Sequence, residues 1–313
     1  MRGLPCMFVV GCPRSGTTLL QRMLDHHPQL AVANDTHFIP RAVDPAGGDV
    51  PLSPALVERV LRYHRFPRLG VPEADTRRAA AGARTYAEFV GTLYREVAAR
   101  RSKPLAGEKT PDYVRYLAFL GRLFPAARFV HIVRDGRDVT LSTLQWARPD
   151  KGPGRFSLWR QDPVATCALW WRWQVTTGRS EGEALGARYR EVRYEDLVRR
   201  PRETVEGLCR FLDLPFAAEM LDYHVGRTRR GAGLSAKRAW LPPTPGLRDW
   251  RTQMADGDVE VFESLAGDLL TSLGYARRTT APSRAVAARA ERAEAGWEAE
   301  LERRAKRRAS ARS

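Results

Sequence analysis

Short apolar runs alternate along the chain with stretches in which apolar positions recur every three or four residues. "CMFVVG" is a run of buried-strand type, and "TTLLQRMLDHH" then sets Leu19, Leu20, Met23 and Leu24 at helical spacing up to Pro28. "QLAVAN" predicts a second strand, and "SPALVERVLRYH" and "TYAEFVGTLYREVAARR" predict helices around a Pro/Gly-rich connection. "PLAGEKTP" reads as strand and turn, "DYVRYLAFLGRLF" as a helix and "RFVHIVR" as a buried strand. "DGRDVTLSTLQWA" opens another helix, with Asp135 as its cap and Gly136 easing the turn. Residues 148–162 read as a loop rich in Gly, Pro and Arg. In the helix "PVATCALWWRWQVTTG", Trp170, Trp171 and Trp173 suit core packing better than a ligand cage. A strand "ARYREVRY" and helices "PRETVEGLCRFLDL", "AAEMLDYHV" and "DVEVFESLAGDLLTSLG" follow.

This alternation predicts a single α/β domain over residues 1–280, a central parallel sheet with helices on both faces. From Ala281 the chain turns to Ala, Arg and Glu with almost no large apolar residue. Residues 281–313 therefore read as a helical or disordered tail, solvated or frayed for want of a face to bury.

With 313 residues, 43% hydrophobic and 28% charged, the composition is that of an ordinary globular protein. The net charge of +16 points to an acidic partner: nucleic acid, a membrane surface or a phosphorylated small molecule. Cys6, Cys12, Cys167 and Cys209 have no C-x-x-C or metal-ligand spacing and read as reduced structural thiols. The histidines form no ligand set either, so no metal is expected. No apolar run approaches the ~18 residues of a membrane span, and the first strand begins within a few residues of Met1. A cytoplasmic protein is the expectation, and no pattern sets an oligomeric state.

From Gly11 to Thr18, "GCPRSGTT" follows the phosphate-loop pattern G-x-x-x-x-G-K-[ST] except that Thr17 stands where the lysine belongs. Strand, glycine loop and helix in that order favour an anion at the loop's N–H groups and the helix N-terminus. Such a loop, with the hydroxyls of Ser15, Thr17 and Thr18 and the cation of Arg14, holds a tetrahedral anion. It is poorly equipped for magnesium triphosphate, and no strand ends in a Walker-B aspartate, which argues against a phosphate-loop kinase using ATP. In "RDGRDVTLS", Arg134 stands at a strand's carboxyl end and Ser142 about two turns into the next helix, where a second phosphate could be met. On spacing alone, a helix-capping arginine and a solvent-facing serine fit equally well. "REVRYEDL" ends a further strand in Tyr194. Together these strand ends describe a nucleotide with anions at two places, and they weigh against the other rival, a basic nucleic-acid-binding protein with an inactive nucleotide fold.

These motifs resemble those of the sulfotransferases that use 3′-phosphoadenosine 5′-phosphosulfate (PAPS). "PRSGTT" is similar to that family's 5′-phosphosulfate loop, "RDGRDVTLS" to its 3′-phosphate motif and "RYEDL" to the segment that follows, so the likeness runs from about Phe8 to Tyr275. "HHPQLAVANDTHFIPR" and "GEKTP" resemble the protein-tyrosine and bacterial branches. The resemblance implies a phosphate-loop sulfotransferase fold and in-line sulfuryl transfer from PAPS, without a metal, to a hydroxyl or amine on a small-molecule, glycan or peptide acceptor.

It further implies a general base at Asp35, where the tyrosine branch has glutamate. The arm is shorter by roughly 1.5 Å, and His37, with an ordinary pKa suited to proton transfer near neutrality, is its rival. Arg14 and Lys109 are the implied cations at the developing charge. Glu108 is expected to orient Lys109 or bind acceptor rather than act as base. The family's lysine before a proline is replaced by Leu241, leaving Lys237 or Arg238 as its substitute, with Ser235 expected to touch the nucleotide. The acceptor loops fall at 40–84 and 148–162.

Overall fold

The run MFVV is buried at every position and forms β1 (Met7–Val10), the middle strand of a five-stranded sheet. In this computed structural model, which describes residues 5–224, 244, 246–279 and 281–310, the other strands are β2 (Leu30–Asn34), β3 (Leu105–Lys109), β4 (Arg128–Val133) and β5 (Tyr189–Arg193). Their order is β2-β3-β1-β4-β5 and every neighbouring pair is parallel. Both faces of such a sheet are covered, which is why β1, β2 and β4 read as apolar runs, while the edge strand β5 has only Val192 buried.

The helices used below are α1 (Thr17–Asp25), α2 (Tyr86–Arg100), α3 (Leu117–Leu123), α4 (Gly136–Leu144), α5 (Pro163–Glu183), α6 (Tyr194–Arg199), α7 (Pro201–Leu212), α8 (Asp256–Ser272) and α9 (Arg284–Ser310). Side chains alternate across the pleat. Phe8, Val10, Ala31 and Ala33 join one core with Phe89, Leu93 and Val97 of α2 and Leu120 of α3. Met7, Val9, Leu30 and Val32 join a second core with Leu20 and Met23 of α1 and Leu208 of α7. The parallel sheet covered on both faces is thus as the alternation predicts.

Two compact units divide the chain, Met1–Val133 with Thr177–Pro245 and Arg134–Thr176 with Gly246–Ser313. The first contains the whole sheet. In the second, Trp170 and Trp171 are buried, as their spacing predicts.

The Pro/Gly-rich connection holds a helix, Glu73–Ala81, and three further stretches depart from their predicted form. "DYVRYLAFLGRLF" is helical only in α3. Its first part is a 3-10 turn, Pro111–Arg115, broken at Tyr116 (φ −140°), while the Tyr113 hydroxyl accepts a hydrogen bond from the Ile39 amide at 3.1 Å. In "AAEMLDYHV", described as far as residue 224, there is one 3-10 turn, Ala218–Met220. The third is the tail, helical over Arg284–Ser310 as one of its two predicted forms and exposed over much of its length, but with a face to bury. In α9, Ala290, Ala293 and Trp297 are buried, and the Trp297 ring stacks on Phe156 with centroids 4.2 Å apart. Glu300 accepts from the Ser157 amide at 2.8 Å and its hydroxyl at 2.7 Å, and Arg289 grips Asp162 with two bonds of 2.5 and 2.7 Å. Small alanines let the helix approach closely, so a single tryptophan suffices to make a buried stripe.

Candidate active site

The loop after β1 turns tightly against its neighbours. A Cβ on Gly11 would lie 2.4 Å from the Ile132 carbonyl oxygen of β4. Arg14 (φ 79°) and Gly16 (φ 95°) both have left-handed backbone, and an arginine there carries a strain of about 1–2 kcal/mol. Gly16 caps α1 without any side-chain bond to the first-turn N–H groups, which leaves them for an anion. Beside them the Ser15 hydroxyl is buried with no hydrogen-bond partner among the described residues. Burying a hydroxyl unpaired is unfavourable, and an oxyanion seated in this loop would give it a partner. Tyr194, the first residue of α6, covers the loop: a Cβ on Gly16 would meet its ring at 2.3 Å. Thr17, in the lysine's place, is 4% exposed.

A cation reaches the loop from another strand. Lys109 ends β3, is 1% exposed, and its ammonium lies 3.4 Å from the Thr18 hydroxyl and 3.1 Å from Asp35 Oδ1. Burial pushes its pKa below the usual lysine value, opposed first by the Asp35 charge. Asp35 extends the ladder of β2, its amide donating to the Lys109 carbonyl at 2.8 Å. Asp35 (φ 57°) and His37 (φ 58°) are both left-handed, so the chain bends sharply on either side of Thr36.

His37 Nε2 lies 3.9 Å from Asp35 Oδ1, and Nδ1 lies 3.7 Å from Asp112 Oδ2. Burial lowers its pKa to about 4, against the pull of Asp112. The ordinary pKa expected of His37 is therefore corrected: the ring is neutral near pH 7 and a weak base. Glu108 also departs from expectation. It is fully buried, and its Oε1 accepts from the Thr36 amide at 3.2 Å and the Thr36 hydroxyl at 3.1 Å, with the Tyr94 and Thr110 hydroxyls completing its shell. Among its bonds, none goes to Lys109; it holds Thr36.

In the second unit, Arg134 immediately follows β4 and pairs with Asp138 one turn into α4 at 3.4 Å. Ser142, a further turn along the same face, is 6% exposed, so the serine does not face solvent. Asp138, absent from the sequence-based site although it lies four residues after Arg134, has its pKa raised to about 6 by burial, against the Arg134 charge. Asp135 caps α4 as expected, accepting from the Arg137 amide at 3.0 Å. Its carboxylate also takes a two-pronged grip from Arg137 (3.0 and 2.7 Å) and a bond from the Trp250 indole at 3.1 Å. Arg137 is fully buried, lies 3.6 Å over the Trp250 ring and reaches Glu263 at 2.5 Å. Gly136 serves packing rather than the turn, since a Cβ there would lie 2.4 Å from Phe262 and 2.5 Å from Trp171.

The first unit thus brings Thr18, Asp35, His37 and Lys109 together and sets Tyr194 against Gly16. The second sets Arg134 and Ser142 on one face with Asp138. Ser235, Lys237, Arg238 and Leu241 lie outside the described residues. Among the described residues no group of three His, Cys, Asp or Glu is placed to hold a metal ion, and no helix is long and apolar enough to cross a membrane.

Comparison with known proteins matches residues 5–218 to the sulfotransferase family. The chain belongs to that family. It is 26% identical over 239 residues to protein-tyrosine sulfotransferase 1 of Danio rerio, covering 76% of this chain and 61% of that protein. With the protein-tyrosine sulfotransferase of Drosophila melanogaster it shares 27% identity over 71% of this chain and 40% of that one. The chain therefore spans 61% and 40% of the length of these two relatives. Two solved structures have its fold: the sulfotransferase domain from the Synechococcus PCC 7002 olefin synthase (TM-score 0.59, 23% identity, 88% of this chain and 96% of that one) and the sulfotransferase domain from the curacin biosynthetic pathway (TM-score 0.59, 20% identity, 88% and 100%).

Proposed function

We propose that the chain transfers a sulfuryl group from PAPS to a hydroxyl acceptor and releases adenosine 3′,5′-bisphosphate. The observation that carries this reading is the buried Lys109 ammonium, held between Thr18 of the phosphate loop and the Asp35 carboxylate. A cation so placed serves a transfer in which negative charge grows on the oxygen leaving the loop, and the loop itself has no lysine for a γ-phosphate. Family membership and the orphaned Ser15 hydroxyl support it.

PAPS supplies an activated sulfuryl group and a good leaving group. The loop amides with Ser15, Thr17 and Thr18 are the groups to bind its 5′ side, Arg14 adds a cation there, and Arg134 with Ser142 would take the 3′-phosphate. Asp35 would accept the proton from the acceptor hydroxyl as its oxygen bonds to sulfur. Lys109, already 3.1 Å from that carboxylate, balances the charge gathering on the leaving oxygen. His37, neutral near pH 7, is close enough to orient the acceptor or Asp35. The acceptor belongs to the class of phenols, sugars and peptide side chains that present a hydroxyl, and the protein acts without a metal in this reading.

Calorimetric titration with adenosine 3′,5′-bisphosphate, beside AMP and magnesium-ATP at equal salt, tests the nucleotide. Binding of the bisphosphate alone is expected, followed by PAPS turnover on a panel of phenolic, sugar and tyrosine-peptide acceptors. Preference for magnesium-ATP would overturn the reading.

A further inference from the structure

Asp35 and His37 stand on a turn whose backbone is left-handed at both residues, a conformation side chains other than glycine avoid. Such a turn persists only where its surroundings determine it several times over. Here the determining groups lie beneath it and are fully buried. Glu108 Oε1 accepts both the amide and the hydroxyl of Thr36, the residue between the two left-handed ones. The Tyr94 hydroxyl donates to the other carboxylate oxygen, and Thr110 donates to Oε1. Three residues further on, the Ile39 amide donates to the Tyr113 hydroxyl and the Ile39 carbonyl accepts from the Tyr86 hydroxyl, both at 3.1 Å. Tyr86, Tyr94, Tyr113 and Glu108 have essentially no exposure. The turn is therefore pinned at its centre and at its exit by four buried side chains; Glu108 takes both the amide and the hydroxyl of its central residue, and the Tyr94 and Tyr113 hydroxyls also lie against the Thr36 side chain.

We infer that Glu108 is a positioning residue: through Thr36 it holds the 35–37 turn so that Asp35 meets Lys109 and His37 stays tucked beside Asp35, without itself touching nucleotide or acceptor. This rests on the proposed sulfuryl transfer only for its catalytic meaning; the geometry stands alone. A carboxylate suits the task because its two oxygens accept several hydrogen bonds at once, and fully paired buried networks specify one conformation. Burial raises the Glu108 pKa against the pull of the Thr110, Tyr94 and Thr36 hydrogen bonds, and its ionised form adds to Asp35 in favouring the Lys109 ammonium.

The turn can be read through His37, whose neighbours are Asp35, Asp112, Arg41 and Arg65, with the Tyr113 ring edge-on. Tucked in, the imidazole is held to a pKa of about 4; released to solvent it returns toward the ordinary 6.5. Protein labelled at its histidines is titrated by NMR from pH 8 to pH 5.5, and adenosine 3′,5′-bisphosphate affinity is measured by calorimetry in parallel. Wild-type His37 stays neutral throughout.

In Glu108→Ala and in Thr36→Val, His37 is expected to titrate within that range, with bisphosphate affinity within threefold of wild type. On the acceptor found for the wild type, kcat falls tenfold or more while KM for PAPS is unchanged. Glu108→Gln keeps a carbonyl oxygen for Thr36 and restores the neutral ring. If Glu108→Ala does not fold, Thr36→Val, which removes only the Thr36 hydroxyl and keeps its amide bond to Glu108, decides. A folded Glu108→Ala or Thr36→Val with His37 resonances and titration like the wild type overturns the inference. Failure of the wild type to bind the bisphosphate would instead strike the functional proposal, while the His37 readout still judges the turn.

Discussion

Replacing Lys109 by methionine should slow turnover and leave the protein about as stable as before. Methionine nearly matches the length of the lysine stem and removes only the charge, at a site with 1% exposure. Burial lowers the lysine's pKa despite Asp35, so the folded state holds its ammonium less readily than the unfolded chain does. Between the lowered value and 10.5 the unfolded chain binds more protons; stability rises with pH through that window, and below it the full cost of the buried charge is present. Lys109→Met removes that cost. It also strips Asp35 of a partner, but that carboxylate is 25% exposed and can rehydrate. Exchanging both partners of a buried ion pair for apolar groups is neutral or stabilising by about 1–4 kcal/mol, whereas removing one partner of a fully buried pair costs about 3–5 kcal/mol. With Asp35 able to rehydrate, the two effects offset and a net change within about 1 kcal/mol is expected. Urea unfolding of wild type and Lys109→Met at pH 7 measures this. Turnover on the acceptor found for the wild type should fall about 10²–10³-fold, the usual effect of removing one donor from a developing charge. A loss of more than about 1 kcal/mol would show that the Lys109–Asp35 attraction outweighs burial. A rate within about tenfold of wild type would remove Lys109 from the reacting centre.

Gly16→Ala is expected to abolish measurable bisphosphate binding, because its Cβ falls 2.3 Å from the Tyr194 ring on a backbone at φ 95°. Gly16→Ala/Tyr194→Ala should regain part of it in the same calorimetric titration, and no gain would mean backbone strain alone matters. Stability should fall between pH 7 and pH 5, since His37 (about 4) and His131 (about 3) stay neutral when folded but take up protons once unfolded. Each removes about 2 kcal/mol at pH 5, and Asp138, whose raised pKa of about 6 favours the folded state as pH falls, returns about 1 kcal/mol. Urea midpoints that are flat or rise toward pH 5 would contradict that balance. Trp297→Ala should cost about 3–5 kcal/mol in the second unit by emptying the stack on Phe156, read as an earlier loss of helical circular dichroism; an unchanged melt would return α9 to the status of a solvated tail.

What the sequence discloses and what it hides divide by the range of the interactions involved. β1, β2 and β4 are legible because a parallel sheet buries both faces and so leaves an apolar run, whereas the edge strand β5, YREVR, has only Val192 buried. The loop from Gly11 to Thr18 is legible because backbone conformation there demands particular residues in order. Lys109 and Asp35 are legible through family likeness, but their 3.1 Å pairing requires β2 and β3 to lie side by side. Glu108 is hidden for the same reason: Thr36 is 72 residues away in the chain, and alternation along β3 says only that Glu108 and Lys109 face opposite ways. The ordinary pKa assigned to His37 fails because burial is a property of the packed turn, not of the residue. Gly136 misleads more subtly, since a glycine at a helix start invites a turn explanation, whereas Trp171 and Phe262 fill the space its side chain would need. In α9 the buried stripe runs through Ala290, Ala293 and Trp297 at spacings of three and four, a helical period present in the sequence but carried by residues that a hydrophobicity count passes over. Chemistry local to a loop is thus readable along the chain, while the carboxylate that holds the proposed base in place emerges only when two strands are set in register.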